Sequence, residues 1–169
     1  MKIVTVVGAR PQFIKAAAGS RALRREHREI LVRTGQHYDA NMSDIFFQEM
    51  GIPRPDYNLG IAGGTHGEMT GRMLIEIEKV LLAETPDALL VYGDTNSTLA
   101  AALAAVKLMI PVLHVEAGNR LGTNDNPEEI NRVCTDHCSR LLFAATESCM
   151  ENLRKENLAA KAHLVGNIM

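Results

Sequence analysis

The sequence lacks tryptophan altogether, and aromatic residues make up only 4% of its 169 residues. Proteins that bind single-stranded nucleic acid stack bases on aromatic side chains, so this scarcity argues against such a function. Positive charge is not in excess either, because 18 lysines and arginines accompany 20 aspartates and glutamates, for a formal net charge of −2. We therefore expect no nucleic-acid partner, since the attraction to phosphate groups is missing.

Cysteines and long apolar runs are scarce as well. Three cysteines are too few, and an odd number, for a disulfide framework, which favours a reducing compartment. The apolar stretch at 3–7 is too short for a signal-peptide core. The longest apolar run, at 99–106, stops at Lys107, well short of a membrane span. These absences predict a cytoplasmic protein with no membrane partner.

The sequence does contain a regular alternation of short β-branched runs with longer amphipathic segments. The pattern predicts six strands, at 2–7, 29–33, 88–92, 111–115, 141–144 and 163–165. It predicts helices at about 11–26, 43–50, 65–85, 95–108 and 146–157, and another that begins at 127. Strands and helices in this order predict one α/β domain over residues 1–169, with a mostly parallel sheet covered by helices on both faces.

Glycines and polar residues follow four of these strands, at 8–10, 34–37, 93–95 and 116–118. Ligands of parallel α/β sheets bind beyond the carboxyl ends of the strands. The sequence therefore predicts a binding site built from these four stretches.

The stretch from Gly8 to Lys15 is a candidate anion site. A glycine turn that leads into a helix exposes backbone N–H groups, and Arg10 adds a guanidinium that can bind a phosphate through two hydrogen bonds. The stretch has neither the dinucleotide-binding glycine pattern nor a phosphate-binding P-loop pattern. The alternative is a tight turn followed by two solvated cations.

Two acidic residues, Asp94 and Glu116, lie at predicted strand ends. Either Asp94 or Thr95 is expected to cap the next helix, and the spacing alone favours a capping role for Asp94. Because strand side chains alternate, Glu116 is expected to share a face with His114. Glu116 is then either a solvated rim residue or a base directed into the crevice.

The stretch at 126–132 combines a helix start with two glutamates and an arginine. Asn126 as the helix cap and Pro127 as the first helical residue allow Glu129 to complete a capping box. Glu128 is then available to pair with Arg132 four residues later. That pair is either an ordinary ion pair on the helix surface or a catalytic carboxylate oriented by Arg132.

Cys134, His137 and Cys138 have the spacing of metal ligands on one helix face, with Cys149 as a further candidate. Thiols at helical spacing more often serve as packing residues, so no metal site is predicted.

Together these motifs resemble the non-hydrolysing UDP-N-acetylglucosamine 2-epimerase family along the whole chain. The resemblance rests on GARPQFIK at 8–15, TGQHYDANMSDIFF at 34–47, GDTNSTLAAALAA at 93–105, EAGNR at 116–120, PEEINR at 127–132 and VGN at 165–167. The stretches PQFIKA, HYDANMSDIFF and GGTHGEMTGRML are more similar to one branch of the family. That branch epimerises UDP-2,3-diacetamido-2,3-dideoxy-glucuronate at C2.

The resemblance implies two Rossmann-like domains of the glycosyltransferase-B type with the active site between them. This chain is similar to the first domain only, so the second, UDP-binding domain is expected to be absent and the chain alone to form half a site. The resemblance further implies a UDP-sugar substrate, no cofactor and no metal ion. A homodimer is expected for the full-length protein.

The resemblance also implies a reaction, the interconversion of UDP-N-acetylglucosamine and UDP-N-acetylmannosamine by elimination and re-addition of UDP. It assigns acid and base roles to Asp94, Glu116 and Glu128. It assigns substrate binding to a second set of residues, namely Arg10, Lys15, His37 and Arg132.

The first alternative to this reaction is that of the similar branch, the C2 epimerisation of UDP-2,3-diacetamido-2,3-dideoxy-glucuronate. One departure from the family pattern and two further alternatives accompany this interpretation. Asn119 stands where the family usually has leucine, which predicts recognition of a different sugar substituent. A glycosyltransferase on the same fold is one alternative function, and an inactive single-domain fragment is another.

Overall fold

The structure is a computed structural model that describes residues 1–35, 51, 53–123 and 125–167. Within these residues seven strands form one sheet in which every pairing is parallel. The strands are β1 (Lys2–Val7), β2 (Arg28–Arg33), β3 (Tyr57–Asn58), β4 (Ala88–Tyr92), β5 (Val112–Ala117), β6 (Leu141–Ala144) and β7 (Ala162–Leu164). Their order across the sheet is β3-β2-β1-β4-β5-β6-β7.

Five α-helices connect these strands in the described part of the chain. They are α1 (Arg10–Leu23), α2 (His66–Glu84), α3 (Asn96–Lys107), α4 (Pro127–Cys138) and α5 (Glu147–Lys155), and a 3₁₀ turn (Ala159–Lys161) precedes β7. The α/β class and the predicted order of elements are confirmed. The helix predicted at 43–50 lies outside the described residues.

Alternate residues of β1 separate the two faces of the sheet. Val4 and Val6 pack into a core with α2 and α3, whereas Ile3 and Val7 pack into a second core with α1. Because both faces of β1 are covered, the strand is apolar nearly throughout instead of alternating with polar residues. This burial explains why the sequence predicted β1 within its observed limits.

One strand was not predicted. Tyr57 and Asn58 form β3, which pairs with Val32 and Arg33 at the edge of the sheet. A strand of two residues is too short to show an alternation of apolar and polar side chains, so the sequence contains no signal for it.

The sheet has its topological switch point between β1 and β4. The chain leaves β1 toward β2 on one side, whereas β4 pairs with the other side of β1. The loops that follow β1 and β4 therefore diverge and leave a crevice at their carboxyl ends. Gly8 and Gly93 are the first residues of these two loops.

None of the helices in the described ranges combines the length and the apolar character that crossing a bilayer requires.

Candidate active site

The loop after β1 is fixed to the end of β4 by the side chain of Gln12. Its Oε1 atom accepts hydrogen bonds from the backbone N–H groups of Gly8, at 2.7 Å, and Ala9, at 3.1 Å. Its Nε2 atom donates to the carbonyl oxygen of Tyr92 at 2.6 Å. Gln12 is buried, so these bonds are protected from water. The sequence analysis missed this residue, although a glutamine at the third helical position is typical of a capping box.

Glu116 and Lys15 form a closely paired ion pair. Lys15 Nζ lies 2.6 Å from Oε1 and 2.7 Å from Oε2 of Glu116. The lysine side chain is 11% exposed and the glutamate side chain 18% exposed, so the pair is largely shielded from solvent. A carboxylate held in this way has a fixed orientation at the carboxyl end of β5.

The backbone at Glu116 is strained. Its φ angle is +71°, a left-handed conformation that residues other than glycine rarely adopt. The pairing of β5 with β6 also shifts register between Val115 and Ala117, which marks a β-bulge. Strain of this kind persists where surrounding contacts hold it, and it is concentrated at functional sites.

The bulge overturns one prediction. Regular alternation would place Glu116 on the same face as His114, but His114 contacts Asp136 of α4 whereas Glu116 contacts Lys15 of α1. The helix α1 packs on the opposite face from α2 and α3. The bulge and the positive φ angle thus turn the Glu116 carboxylate toward α1.

Asp94 pairs with Arg132 from α4. The Nε atom of Arg132 donates to Oδ2 of Asp94 at 3.1 Å, and its Nη2 atom contacts the same oxygen. The Nη1 atom donates to Oε2 of Glu129 at 2.6 Å. Burial opposes the charge of Arg132, but these two carboxylates outweigh that effect and raise the pKa of the guanidinium. One arginine therefore orients Asp94 through a rigid fork.

Asp94 does not cap the helix that follows it. The cap of α3 is Thr95, whose hydroxyl accepts a hydrogen bond from the N–H of Thr98. The backbone carbonyl of Asp94 accepts a hydrogen bond from Asn131 Nδ2 at 3.0 Å. The Asp94 carboxylate is thus left for Arg132, with 34% of the side chain exposed.

Two local predictions at the start of α4 are wrong. Glu129 does not complete a capping box with Asn126, because its Oε1 atom accepts from the N–H groups of Leu121, at 2.9 Å, and Gly122, at 3.2 Å. The Asn126 side chain accepts instead from the N–H of Glu128. Arg132 does not pair with Glu128 either, since Asp94 and Glu129 occupy its donors.

Gly93 adjoins both ion pairs. A β-carbon placed on Gly93, whose φ angle is +62°, would lie 3.4 Å from Oε2 of Glu116. The Glu116 carboxylate therefore lies against the residue that precedes Asp94. A side chain at position 93 would both strain the backbone and enter the space beside this carboxylate.

The remaining predicted residues lie at helix starts or outside the described residues. Arg10 is the first residue of α1 and is exposed, and Glu128 is exposed in the first turn of α4. His37 lies outside the described residues. The structure thus joins Lys15 with Glu116 and Asp94 with Arg132, and it leaves Arg10 and Glu128 at the rim.

A cavity of about 320 Å³ opens beside Glu116. Its lining comes from the carboxyl ends of β5 and β6 and from the residues after β7, namely Val115, Glu116, Phe143, Ala145, Val165, Gly166 and Asn167. This volume is in the range of small-molecule sites. The lining combines a few polar atoms with an apolar wall.

Within the described residues, no group of three or more histidine, cysteine, aspartate and glutamate side chains could hold a metal ion. Cys134 is exposed, Cys138 is half-buried and Cys149 is buried. Burial raises the pKa of the Cys138 thiol, which makes that thiol a weaker ligand and nucleophile.

Comparison with known proteins adds an independent line of information. The sequence profile of the family described as UDP-N-acetylglucosamine 2-epimerase matches residues 21–169. UDP-2,3-diacetamido-2,3-dideoxy-D-glucuronate 2-epimerase of Pseudomonas aeruginosa is 57% identical over 170 residues, which are 99% of this chain and 48% of that protein. UDP-N-acetylglucosamine 2-epimerase of Methanocaldococcus jannaschii is 53% identical over 99% of this chain and 46% of that protein.

A solved structure agrees closely with this fold. The crystal structure of the Methanocaldococcus jannaschii enzyme in complex with UDP-GlcNAc and UDP superposes with a TM-score of 0.95, over 99% of this chain and 47% of that one. The expected Rossmann-like half of a glycosyltransferase-B-type fold is confirmed. The chain spans about half the length of the curated relatives it matches.

Proposed function

The chain belongs to the UDP-N-acetylglucosamine 2-epimerase family, and from this premise we propose that it supplies the acid and base residues of a nucleotide-sugar C2 epimerase. The reaction is the interconversion of UDP-N-acetylglucosamine and UDP-N-acetylmannosamine. The observation that carries the proposal is the pairing of two carboxylates with cations on either side of Gly93, at the switch point of the sheet.

The chemistry explains why carboxylates are needed. The hydrogen at C2 of the sugar is only weakly acidic, so a carboxylate cannot remove it from an intact substrate. Departure of UDP from C1 builds positive charge on that carbon, and the neighbouring C2 proton then becomes removable. The C2–H electron pair forms the double bond of a 2-acetamidoglucal, and UDP adds back to C1 after C2 is protonated on the other face.

Asp94 and Glu116 suit the proton-transfer steps. Each carboxylate is held in one orientation by a cation, Arg132 or Lys15, so little reorganisation is needed when a proton moves. Each also lies at the carboxyl end of a strand, where the substrate of a parallel α/β sheet binds. We propose that Lys15 and Arg132 act mainly by orienting these two carboxylates.

The rim residues complete the proposed site. Glu128 is proposed as the third acid or base, because its exposed side chain has no partner among the described residues. Arg10, at the first position of α1, is proposed to bind the diphosphate together with the N–H groups of that helix start. His37 is assigned to substrate binding on the resemblance alone.

Two observations favour testing a second nucleotide sugar as the substrate. The Pseudomonas aeruginosa relative at 57% identity is named for UDP-2,3-diacetamido-2,3-dideoxy-D-glucuronate. Asn119, in the loop beside Glu116, donates to the Glu116 carbonyl oxygen and accepts from the Cys149 thiol. An amide at this position can hydrogen-bond a polar sugar substituent that leucine could not.

The proposal extends to partners and location. A second domain would cover the carboxyl edge and enclose the sugar, since the relatives are about twice as long as the matched region. A homodimer is proposed because α2 exposes Ile75, at 54%, and Leu82, at 59%. We assign the protein to the cytoplasm, and the proposed reaction needs neither a cofactor nor a metal ion.

Proton NMR in D₂O tests the function on the complete reading frame that encodes this chain. UDP-N-acetylglucosamine and the 2,3-diacetamido glucuronate nucleotide are supplied separately. The proposal predicts deuterium at C2 and accumulation of the manno epimer for one of them, and that nucleotide is the substrate. Transfer of the sugar to an acceptor without C2 exchange would identify a glycosyltransferase instead.

Variants connect the activity with the site. Asp94→Asn, Glu116→Gln and Glu128→Gln remove one carboxylate each, and general acid–base catalysis accounts for roughly 10²- to 10⁴-fold in rate. Glu151→Gln is the matched control, because Glu151 is an exposed residue of α5 whose one ion-pair partner among the described residues is Arg154. Wild-type turnover in Asp94→Asn and Glu116→Gln would contradict the assignment.

A further inference from the structure

His114 is a fully buried histidine beneath the two turns that carry Asp94 and Glu116. Its exposed fraction is 0%, and it lies on β5, two residues before Glu116. Its Nε2 atom lies 2.7 Å from the carbonyl oxygen of Gly93. Its Nδ1 atom lies 2.7 Å from Oδ1 of Asp136. Both ring nitrogens thus make short contacts to oxygen atoms.

The partners of His114 determine where its protons are. The Gly93 carbonyl oxygen can only accept, so Nε2 must carry a hydrogen. Asp136 accepts through its other oxygen from the N–H of Gly118, at 3.0 Å, and contacts Arg120 Nη1 at 2.8 Å. Burial opposes the charge of Asp136, but His114, Arg120 and the Gly118 N–H keep the pKa of its carboxyl below the ordinary value. An ionised carboxylate also only accepts, so Nδ1 must carry a hydrogen as well.

The charges around His114 alternate in sign. Behind Asp136, the Arg120 guanidinium forms two parallel bonds with Glu156, at 2.7 and 2.8 Å. A doubly protonated His114 completes a sequence of positive, negative, positive and negative groups. Buried charges are tolerated when they are paired and hydrogen-bonded in this way. Two further titratable groups border this sequence, because Lys161 Nζ donates to the carbonyl oxygen of Asp136 at 2.9 Å and His137 Nε2 lies 3.1 Å from Glu156 Oε2.

The His114–Asp136 pair holds the backbone on both sides of the proposed site. It binds the carbonyl group of Gly93, which precedes Asp94, and the N–H group of Gly118, which follows Glu116 by two residues. Gly93, Glu116 and Gly118 have φ angles of +62°, +71° and +83°. The two glycines adopt this conformation without strain, but Glu116 requires contacts that hold it in place.

We propose that His114 is a positioning residue which carries protons on both ring nitrogens and, together with Asp136, fixes the Asp94 turn relative to the Glu116 turn. The protonation state of His114 and its two contacts do not depend on the proposed function. The effect on turnover rests on the proposed function. His114 is not a catalytic residue, because it is buried below the loops and reaches them only through the Gly93 carbonyl and Asp136.

The first experiment measures the protonation state without any reference to activity. Nitrogen-15 NMR of the 169-residue chain at pH 7 is compared with the His114→Gln variant, which assigns one of the six histidines. The proposal predicts that both ring nitrogens of His114 have the chemical shifts of an imidazolium. It also predicts that the Gly118 amide exchanges with solvent faster in His114→Gln than in the wild type, because Asp136 loses a partner.

The second experiment measures kcat and KM in the complete reading frame. Glutamine cannot donate in two opposite directions, so His114→Gln releases one of the two turns. The expected result is a loss in kcat on the order of ten- to a hundredfold, with KM within about twofold, because a small misplacement of reacting groups affects the chemical step. The control is Thr5→Val in the middle of β1. This substitution removes a donor to the buried carboxylate of Glu29 on β2.

The outcomes separate the two proposals. A ring nitrogen of His114 without a proton at pH 7 would overturn the charge assignment, whatever the activity. An equal loss of kcat in Thr5→Val, at equal loss of stability, would show that His114 has only a structural role. If the wild-type protein does not exchange the C2 hydrogen, the proposed function fails, and the NMR result still decides whether His114 holds the two turns.

Discussion

Two buried carboxylates, Glu29 and Asp136, have similar surroundings but hold different kinds of structure. Glu29 accepts from Thr5 at 2.7 Å, Ser20 at 2.9 Å and Arg24 at 2.8 Å. Those donors lie on or directly after β1 and α1, elements with ordinary backbone angles. The Glu29 cluster therefore joins one strand–helix–strand unit, and nothing in its surroundings suggests a ligand.

The Asp136 cluster has the same chemistry at a different place. Its donors are His114, Gly118 and Arg120, and all three flank the strained residue Glu116 in the sequence. Burial and ion pairing alone therefore do not identify a functional region. Backbone strain at the carboxyl ends of the strands does, because it is retained where the geometry is needed.

The largest expected effect comes from the strained loop itself. Glu116→Gln keeps the size of the side chain but removes its charge and its ability to take a proton. We expect kcat to fall on the order of a thousandfold, the range of general acid–base catalysis. C2 exchange measured by proton NMR, together with an unchanged circular dichroism spectrum, checks this. A loss of less than about threefold would remove Glu116 from the mechanism.

The next effect compares the two clusters directly. Asp136→Asn breaks a buried ion pair and is expected to lower the free energy of unfolding by about 3 kcal/mol. Glu29→Gln is expected to lower it by less, because Arg24, the partner of Glu29, is 38% exposed. Only Asp136→Asn is expected to lower kcat as well, because only Asp136 holds the loops at the site. Urea unfolding and turnover of both variants give the result. Equal kcat losses would abolish the distinction between the clusters.

The change in stability with pH is expected to be smaller than the loss caused by breaking the Asp136 ion pair. The hydrogen bond from Arg120 holds the pKa of Glu156 below its ordinary value, and the pKa of Asp136 is also lowered. Groups with lowered pKa contribute stability that is present above their unfolded value near pH 4 and lost as the pH falls through the folded value. We expect a loss on the order of 1–2 kcal/mol below about pH 4.

The control for this loss of stability at low pH is the Asp136→Asn variant. Its unfolding free energy, measured in urea from pH 8 to pH 2, should fall less steeply below about pH 4 than that of the wild type. Identical slopes would mean that Asp136 contributes no stability through its charge.

The smallest effect belongs to the Glu29 cluster. Ser20→Ala removes one of the three donors to Glu29 and should lower the free energy of unfolding by about 1 kcal/mol. Turnover should be unchanged, since the cluster touches no loop of the site. A clear loss of kcat at full occupancy of the folded state would show that the Glu29 cluster also supports the site.

The fold was predictable because each strand except β3 is long enough to show its burial. Parallel strands covered on both faces appear as apolar runs, and β1 and β4 follow that pattern at their observed limits. Short-range patterns also located Asn126 and Pro127 at the start of α4. His37 and the helix predicted at 43–50 lie outside the described residues, so both stay predictions.

The partners of the site residues could not be predicted, because they depend on contacts distant in the sequence. Lys15 and Glu116 are 101 residues apart, and Asp94 and Arg132 are 38 apart. The local rules favoured Glu128 for Arg132 and Asn126 for Glu129, but Arg132 pairs with Asp94 from the loop after β4, and Glu129 accepts from the N–H groups of Leu121 and Gly122. The bulge at Glu116 leaves no signal in a pattern of alternating residues.

The most direct test of the account is the fate of the C2 hydrogen when the complete protein turns over its nucleotide sugar in D₂O. The account predicts that solvent deuterium appears at C2 of both the epimer and the recovered starting sugar, at a rate that falls in Asp94→Asn and Glu116→Gln. Turnover of the nucleotide sugar with the original hydrogen retained at C2 would contradict it, because the two paired carboxylates would then have no proton to transfer.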